Sequence, residues 1–161
     1  MRIAVLTISD ACSRGERQDS SGESIVTWVM ERKDKLAARE LIPDETVDIV
    51  RTLTEWSDAD VADVILTTGG TGLAPRDVTP EATRTVLERE APGIAEELRR
   101  SGTASTKYAV LSRGLAGVRN MTVIVNLPGS PKGVEDGLKV LGPILEHAVK
   151  LIRGESTEHS A

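Results

Sequence analysis

Residues 61–72 read VADVILTTGGTG, an apolar run that passes directly into a loop of glycine and threonine. The run Val61–Leu66 has the length of a strand, and its apolar residues are nearly continuous rather than alternating. Two similar runs occur at Ile3–Ile8 and Thr122–Leu127. Continuous apolar runs are typical of parallel strands covered on both faces, so the three runs predict central strands of one sheet.

Helical patterns alternate with these apolar runs along the chain. The predicted helices cover Ser20–Leu36, Asp44–Trp56, Thr79–Arg89 and Pro131–Arg153. Further strands are expected in Ala38–Ile42 and in Tyr108–Ser112, the second at the edge of the sheet. This alternation predicts an α/β fold, a single three-layer α/β/α domain with a mostly parallel central sheet. We expect the domain to cover residues 1–153 and a polar tail to cover residues 154–161.

The bulk composition argues against several classes of protein. The chain has 161 residues, a net charge of −5 and a single cysteine, Cys12. No apolar run has the length of a membrane span or of a signal peptide, so we expect a cytoplasmic protein. One cysteine excludes an internal disulfide and a cysteine zinc site within the chain, and it predicts a small buried side chain. The acidic balance argues against a general nucleic-acid binder.

The loop TTGGTG at residues 67–72 is the first candidate for ligand binding. Only 2% of the residues are aromatic, so a ligand with a flat ring finds few side chains to stack on. Glycine backbone offers another way to bind, because glycine permits a positive φ and successive N–H groups can surround phosphate oxygens. A tight strand-to-helix turn is the alternative interpretation. The spacing matches neither a Walker A motif nor a dinucleotide-binding fingerprint.

Two acidic residues, Asp44 and Asp77, lie close to prolines in loops that follow predicted strands. Arg76 and Asp77 lie between two prolines, which predicts a stiff loop that presents a cation to phosphate and a carboxylate to a divalent metal. The alternative is a surface ion pair followed by a helix that Thr79 caps, with Pro80 in its first turn. Asp44 follows a proline as well, and its pattern alone favours an ordinary helix N-cap.

The segment PGSPK at residues 128–132 opens the last predicted helix. Ser130 followed by proline marks the helix start, where free N–H groups and the positive helix end suit an anion. Lys132 adds a positive charge there, although a cation opposes the helix dipole at this end. A solvated lysine is the alternative interpretation.

The run at residues 65–83, ILTTGGTGLAPRDVTPEAT, closely matches the signature of molybdenum-cofactor biosynthesis proteins of the MogA/MoaB type. The same domain occurs in the plant molybdopterin adenylyltransferase and in the G domain of gephyrin. Shorter matches lie in the family's order at Ser9-Asp10, Gln18-Asp19, Ser21-Gly22, Ile42–Glu45, Leu111–Arg113 and Asn126–Ser130. The chain therefore resembles this family over roughly residues 3–153.

The resemblance implies a three-layer α/β/α domain that usually forms a homotrimer. Active members use Mg-ATP to adenylylate molybdopterin, a dithiolene pterin, and release pyrophosphate, so Mg²⁺ and ATP are the implied cofactor and co-substrate. The two essential carboxylates fall on Asp44 and Asp77, as catalytic residues and metal ligands, with Asp10 a weaker third. Molybdopterin synthase or a molybdate-insertion protein is an implied partner. The alternative is a non-catalytic molybdopterin-binding protein of the same fold, of the MoaB type.

The substrate contacts that the resemblance implies come from the matched loops. Amides of Gly69–Gly72 are expected on the nucleotide phosphates and Pro128–Ser130 beside the nucleotide. Ser112 and Arg113 are expected on the pterin or its phosphate. The full predicted set of binding residues is Ser9, Asp10, Thr68, Gly69, Gly70, Thr71, Gly72, Arg76, Thr79, Ser112, Arg113, Asn126, Pro128, Gly129, Ser130 and Lys132.

Overall fold

A computed structural model describes residues 1–155, so most of the predicted tail, residues 156–161, lies outside the described part of the chain. The strands are β1 (Arg2–Ile8), β2 (Lys35–Ile42), β3 (Val64–Thr68), β4 (Arg89–Glu90), β5 (Ala116–Arg119) and β6 (Thr122–Leu127). The helices are α1 (Asp10–Ser13), α2 (Ser20–Glu31), α3 (Thr46–Asp58), α4 (Thr79–Val86), α5 (Pro92–Gly102) and α6 (Pro131–Ile152), with a 3₁₀ helix at Lys107–Leu111. None of the described helices is long and apolar enough to cross a membrane.

The six strands form one sheet in the order β2-β1-β3-β6-β5-β4. In this order, β2, β1, β3 and β6 are parallel to one another, and β5 and β4 form an antiparallel edge. The three predicted apolar runs become β1, β3 and β6, which are neighbours in the sheet. Ile3 pairs with Val64, and Val64 pairs with Val123. The mostly parallel sheet is thus confirmed, and the carboxyl ends of its central strands meet at one edge, where α/β proteins bind ligands.

Helices cover both faces of the sheet, which confirms the three-layer architecture. On one face, α2, α5 and α6 pack around buried residues that include Val29 and Leu141. On the other face, α3 and α4 contribute Ile49, Leu53 and Val86. The core strands are buried on both sides, which explains why their sequences are continuously apolar.

Two predicted elements differ most from the structure, and the helix predicted at Thr79–Arg89 ends earlier, at Val86, with Arg89 in β4. Helix α2 was expected to reach Leu36, but it ends at Glu31, because Lys33 adopts a positive φ of 58° and Lys35 already pairs with β1. Tyr108–Ser112 is not a strand, because the chain there turns as a 3₁₀ helix whose start is capped by the Thr106 hydroxyl. The strands that do form this edge, β4 and β5, are too short to produce a clear pattern.

An ion cluster at the amino ends of the strands joins both termini of the domain. Asp63 accepts hydrogen bonds from the backbone N–H of Arg2 at 2.6 Å and from the guanidinium of Arg153 at 2.5 Å. Asp60 contacts the same two arginines at 2.9 and 3.1 Å. Burial raises the pKa of Asp63, but the hydrogen bonds from Arg2 and the charge of Arg153 outweigh it and hold the pKa below its usual value.

We expect Asp63→Asn to lower the free energy of unfolding at pH 7 by about 1–3 kcal/mol, because it removes a paired charge from a mostly buried position. A depressed carboxyl pKa stabilises the fold above the unfolded value of about 3.9, and that contribution is lost as pH falls through the folded pKa. Urea unfolding of the wild type and of Asp63→Asn at pH 7 and pH 3 tests this. We expect the difference between their free energies of unfolding to be smaller at pH 3. Asp48→Asn, in a partly exposed pair with Arg51, is the control and changes stability by less than about 0.5 kcal/mol.

Candidate active site

A cleft of about 1220 Å³ lies at the carboxyl ends of the central strands. The loops after β1, β2, β3 and β6 all reach it, as predicted for strand ends of a parallel sheet. The structure brings most of the predicted site residues to its wall. They are Ser9, Asp44, Gly69, Gly70, Thr71, Gly72, Asp77, Ser112, Asn126, Pro128, Gly129, Ser130 and Lys132. The other predicted residues do not line the cleft wall but form hydrogen bonds with residues of its loops. They are Asp10, Thr68, Arg76, Thr79 and Arg113.

The glycine loop after β3 depends on two positive φ angles. Gly69 has a φ of 102° and Gly70 a φ of 62°, conformations that side chains other than glycine rarely adopt. A Cβ on Gly69 would lie 2.1 Å from the Ile8 carbonyl oxygen, and one on Gly70 would lie 2.3 Å from Thr79 Oγ1. The loop therefore packs its backbone directly against neighbouring loops, which leaves the cleft wall without side chains at these positions.

Thr79 has a different role from the predicted helix cap. It is the first residue of α4, and the cap position belongs to Val78. Its hydroxyl donates to the Gly69 carbonyl at 3.0 Å and its backbone N–H donates to the Gly70 carbonyl at 3.1 Å. The Gly69 amide donates to the Leu127 carbonyl at 3.3 Å, so the amides assigned to an anion are those of residues 70–72.

Asp44 does not cap a helix, which rejects the alternative that its sequence pattern favoured. The cap position of α3 belongs to Glu45. Asp44 instead forms a reciprocal pair with Asp10: the Asp10 N–H donates to Asp44 Oδ2 at 2.8 Å, and the Asp44 N–H donates to Asp10 Oδ1 at 3.1 Å. This pair joins the ends of β1 and β2 and leaves Asp44 Oδ1 facing Gly70, whose Cβ would lie 3.0 Å away.

The environment of Asp44 disfavours its negative charge. Burial raises its pKa, and the carboxylates of Asp10 and Asp77 raise it further, whereas the Asp10 amide and the charge of Arg76 lower it. The net pKa is above the usual range. A partly buried carboxylate repelled by two others is an environment that a divalent cation relieves.

Asp77 is held at the end of the glycine loop. Its Oδ2 accepts a hydrogen bond from the Ala74 N–H at 2.8 Å and lies beside Gly72, where a Cβ would be 2.8 Å away. Asp44 and Asp77 thus lie beside two glycines of the same loop, Gly70 and Gly72. No cluster of three or more acidic, histidine or cysteine ligands occurs among the described residues. Two carboxylates fit Mg²⁺, which commonly takes one or two carboxylates and completes its coordination with phosphate and water.

Arg76 forms the ion pair that its sequence pattern left open as an alternative. Its guanidinium donates to both carboxylate oxygens of Asp10 at 3.0 Å and to Glu45 at 2.8 Å. The hydrogen bonds from Arg76 outweigh burial and hold the pKa of Asp10 below its usual value. Asp10 is therefore already neutralised by protein, and the predicted contact of Arg76 with phosphate stays a prediction.

Asn126 and Thr68 join the loops at the base of the cleft. The Asn126 amide nitrogen donates to Thr67 Oγ1 at 2.9 Å and to Thr83 Oγ1 at 3.0 Å, and its oxygen accepts from the Leu115 N–H at 3.1 Å. The Thr68 hydroxyl donates to the Pro128 carbonyl at 2.7 Å. Ser130 caps α6 by accepting from the Gly133 N–H at 3.2 Å, as its sequence pattern predicted.

The second half of the cleft was not predicted from the sequence. This half is lined from α5, the 3₁₀ helix and the start of α6, by Leu98, Arg99, Gly102, Ser105, Thr106, Tyr108, Ala109, Leu111, Asp136 and Gly137. Arg99 donates to the carbonyls of Ser112 at 3.2 Å and Gly114 at 3.1 Å.

Cys12 also lines the cleft and is buried, as predicted. Tyr108 is the one aromatic residue among the described lining, so stacking surface is scarce there, as the composition predicted.

A family described as "Probable molybdopterin binding domain" matches residues 4–147, nearly the whole described chain. The chain belongs to the molybdopterin-binding domain family. A solved structure of the molybdopterin biosynthesis enzyme MoaB from Thermus thermophilus has the same fold, with a TM-score of 0.89 and 51% identity over 95% of this chain and 96% of that one. The resemblance to molybdenum-cofactor biosynthesis proteins is therefore confirmed.

Curated relatives carry this molybdopterin-binding domain alone or within longer chains. A molybdopterin adenylyltransferase of Helicobacter pylori strain J99 is 38% identical over 96% of this chain and 89% of its own length. The molybdenum cofactor synthesis protein cinnamon of Drosophila melanogaster is 44% identical over 93% of this chain. This chain spans only 25% of the length of the cinnamon protein.

Proposed function

We propose that this chain is a molybdopterin adenylyltransferase, which transfers AMP from Mg-ATP to molybdopterin and releases pyrophosphate. The observation that carries this proposal is that Asp44 and Asp77 lie beside two glycines of one loop, Gly70 and Gly72, inside the cleft of a molybdopterin-binding domain. The identity with the Helicobacter pylori adenylyltransferase over most of both chains supports it.

The proposed reaction joins two anions, so alignment and charge neutralisation dominate the catalysis. An oxygen of the terminal molybdopterin phosphate attacks the α-phosphorus of ATP, the bond from that phosphorus to the bridging oxygen breaks, and pyrophosphate leaves with the bond electrons. The amides of residues 70–72 are assigned to the phosphates. The ammonium of Lys132 is assigned to them as well, although in the structure it pairs with Asp136 at 2.8 Å. Pro128–Ser130 border the nucleotide, and Ser112 contacts the pterin.

Asp44 and Asp77 are the residues that we assign to Mg²⁺. When bound, Mg²⁺ supplies positive charge that neutralises phosphate oxygens. The Asp10 amide fixes the orientation of the Asp44 carboxylate, and the Ala74 amide fixes that of Asp77. Both carboxylates are therefore oriented by the protein before any ligand arrives.

The chain without metal should tolerate loss of the Asp44 charge. We expect Asp44→Asn to leave the free energy of unfolding unchanged or to raise it by up to about 1 kcal/mol, because repulsion from Asp10 and Asp77 disappears while the Asp10 amide keeps an oxygen acceptor. Mg²⁺ at ten times its Kd should stabilise the wild type by about 1.4 kcal/mol and Asp44→Asn by almost nothing. Thermal unfolding with and without MgCl₂ measures both effects.

Asp58→Asn is the matched control for this measurement. Asp58 pairs with Arg119 at the opposite end of the sheet, so its variant should keep the full response to Mg²⁺. An equal Mg²⁺ response in Asp44→Asn and in the wild type contradicts the metal assignment.

A non-catalytic molybdopterin-binding protein is the second candidate function, and it is suggested by the matching family, whose description gives molybdopterin binding alone. Incubation with Mg-ATP and molybdopterin distinguishes the two candidates. Adenylyl-molybdopterin and pyrophosphate formed in equal amounts support the enzyme, whereas molybdopterin binding without AMP transfer supports the alternative. A homotrimer, a cytoplasmic location and an association with molybdopterin synthase or a molybdate-insertion protein stay predictions.

A further inference from the structure

Arg113 is not among the residues that line the cleft, and its donors bind the loop that carries Asp77. Its Nε donates to the Gly72 carbonyl at 2.7 Å and its Nη2 donates to the Asp77 carbonyl at 2.6 Å. Its Nη1 forms an ion pair with the Glu81 carboxylate. Its own backbone N–H donates to the Thr71 carbonyl at 2.8 Å. One residue thus binds the end of the glycine loop, the backbone of Asp77 and helix α4.

The segment between Gly72 and Asp77 depends on such external support. Within the segment, the Asp77 N–H donates to the Ala74 carbonyl at 2.9 Å and the Ala74 N–H donates to the Asp77 carboxylate at 2.8 Å. These bonds shape the turn but do not attach it to the rest of the domain. Arg76 attaches it only through the carboxylates of Asp10 and Glu45, and its side chain is 56% exposed. Arg113 is less exposed and also binds two backbone carbonyls, those of Gly72 and Asp77.

We propose that Arg113 is a positioning residue for AMP transfer, which holds the Asp77 peptide against the glycine loop so that the Asp77 carboxylate stays beside Gly72. The inference rests on the proposed function and adds a role to a residue outside the cleft wall. It also replaces the expected contact of Arg113 with the pterin, because the guanidinium donors are directed at protein carbonyls and at Glu81.

The chemistry of arginine explains why this position carries that residue. Its planar guanidinium presents five donors in a fixed geometry, so it can hold two carbonyls and a carboxylate at once. Lysine keeps the charge but offers a compact ammonium that cannot hold all three acceptors in the same geometry. Arg113→Lys therefore separates positioning from charge.

Steady-state kinetics of AMP transfer test the proposal with Arg113→Lys and with Glu81→Gln, which weakens the anchor of the guanidinium without changing Arg113. We expect kcat to fall about 30- to 100-fold in Arg113→Lys and about 3- to 10-fold in Glu81→Gln, because small displacements of positioned groups have effects of this size. The KM for molybdopterin should change less than about threefold, and the Mg²⁺ concentration for half-maximal rate should rise about tenfold.

Arg119→Lys is the matched control. Arg119 also bonds one carbonyl, that of Val86, and one carboxylate, that of Asp58, but at the opposite end of the sheet. Its variant should keep kcat, KM and the Mg²⁺ dependence within about twofold of the wild type. A raised KM for molybdopterin with unchanged kcat in Arg113→Lys would show a direct substrate contact and overturn the proposal. Equal losses in both lysine variants would show a general effect on folding and overturn it as well.

Amide hydrogen exchange of the protein without ligands gives a readout that does not need the reaction. We expect the amide protons of Ala74 and Asp77 to exchange at least about tenfold faster in Arg113→Lys. The turn opens more often when the guanidinium no longer holds the Gly72 and Asp77 carbonyls. Exchange in β3 should be unchanged, and Arg119→Lys should leave Ala74 and Asp77 unchanged. Unaltered exchange at both amides in Arg113→Lys overturns the proposal. If the wild type transfers no AMP, the proposed function fails, and the exchange measurement alone decides whether Arg113 holds the loop.

Discussion

Replacing Asp77 with asparagine is expected to reduce the kcat for AMP transfer about a thousandfold, which corresponds to about 4 kcal/mol of transition-state stabilisation. The change removes one of the two charges assigned to Mg²⁺. It leaves a carbonyl oxygen in place to accept the hydrogen bond from Ala74, so the turn that carries residue 77 keeps its shape. The loss is therefore chemical rather than structural. Pyrophosphate release at saturating ATP, molybdopterin and Mg²⁺ measures it.

Glu45→Gln is the control for the Asp77 variant. Glu45 lies next to Asp44 and contacts Arg76, but its side chain is not part of the described cleft wall. Its variant should retain kcat within about threefold. An Asp77→Asn protein as active as Glu45→Gln would show that the carboxylate of Asp77 has no part in the reaction.

Gly70→Val is expected to weaken ATP binding about a hundredfold, close to 3 kcal/mol. Two effects act together. A β-branched residue is strained at a φ of 62°, and its Cβ would meet Thr79 Oγ1 at 2.3 Å and Asp44 Oδ1 at 3.0 Å. The loop must move, and the amides of residues 70–72 then lose the arrangement assigned to phosphate. Calorimetric titration with a non-hydrolysable ATP analogue and Mg²⁺ measures the Kd.

Gly15→Val separates strain from crowding. Gly15 has a φ of 72°, similar to that of Gly70, but nothing lies within 4 Å of the position of its Cβ. Its variant should lose about 1–2 kcal/mol of stability and keep its affinity for ATP. Unchanged ATP affinity in Gly70→Val, measured on folded protein, would refute the assignment of phosphate to this loop.

The sequence predicts the conformation of Gly70 but not the position of the Asp77 carboxylate. The need for glycine at residues 69 and 70 follows from the sequence, because consecutive glycines after a buried strand predict a turn with positive φ. The position of the Asp77 carboxylate beside Gly72 does not, because it depends on a hydrogen bond within a non-repetitive turn. The position of the Asp44 carboxylate could not be predicted either. Its sequence pattern favoured a helix cap, whereas its partner in the structure, Asp10, lies 34 residues away in the chain.

The boundaries of helices and strands were likewise predictable only where adjacent residues encode them. Thr122–Leu127 and the start of α6 agree with their patterns, because a buried strand and a capped helix start are both encoded by adjacent residues. Tyr108–Ser112 has strand-forming composition and is nevertheless a 3₁₀ helix. The antiparallel edge was missed, because β5 has only four residues and contains Gly117. A Cβ there would lie 2.4 Å from the Arg89 carbonyl oxygen, so glycine permits the close pairing with β4.

The sequence by itself determined the α/β architecture, the glycine loop and the family. Each of these is carried by residues adjacent in the chain, whose periodicity, backbone freedom or motif is a local property. Only the tertiary structure decided which groups meet: Asp44 with Asp10, Arg113 with the loop of Asp77, and α5 with the second half of the cleft. Contacts between distant residues depend on how the helices pack on the sheet, and short-range patterns do not encode that packing.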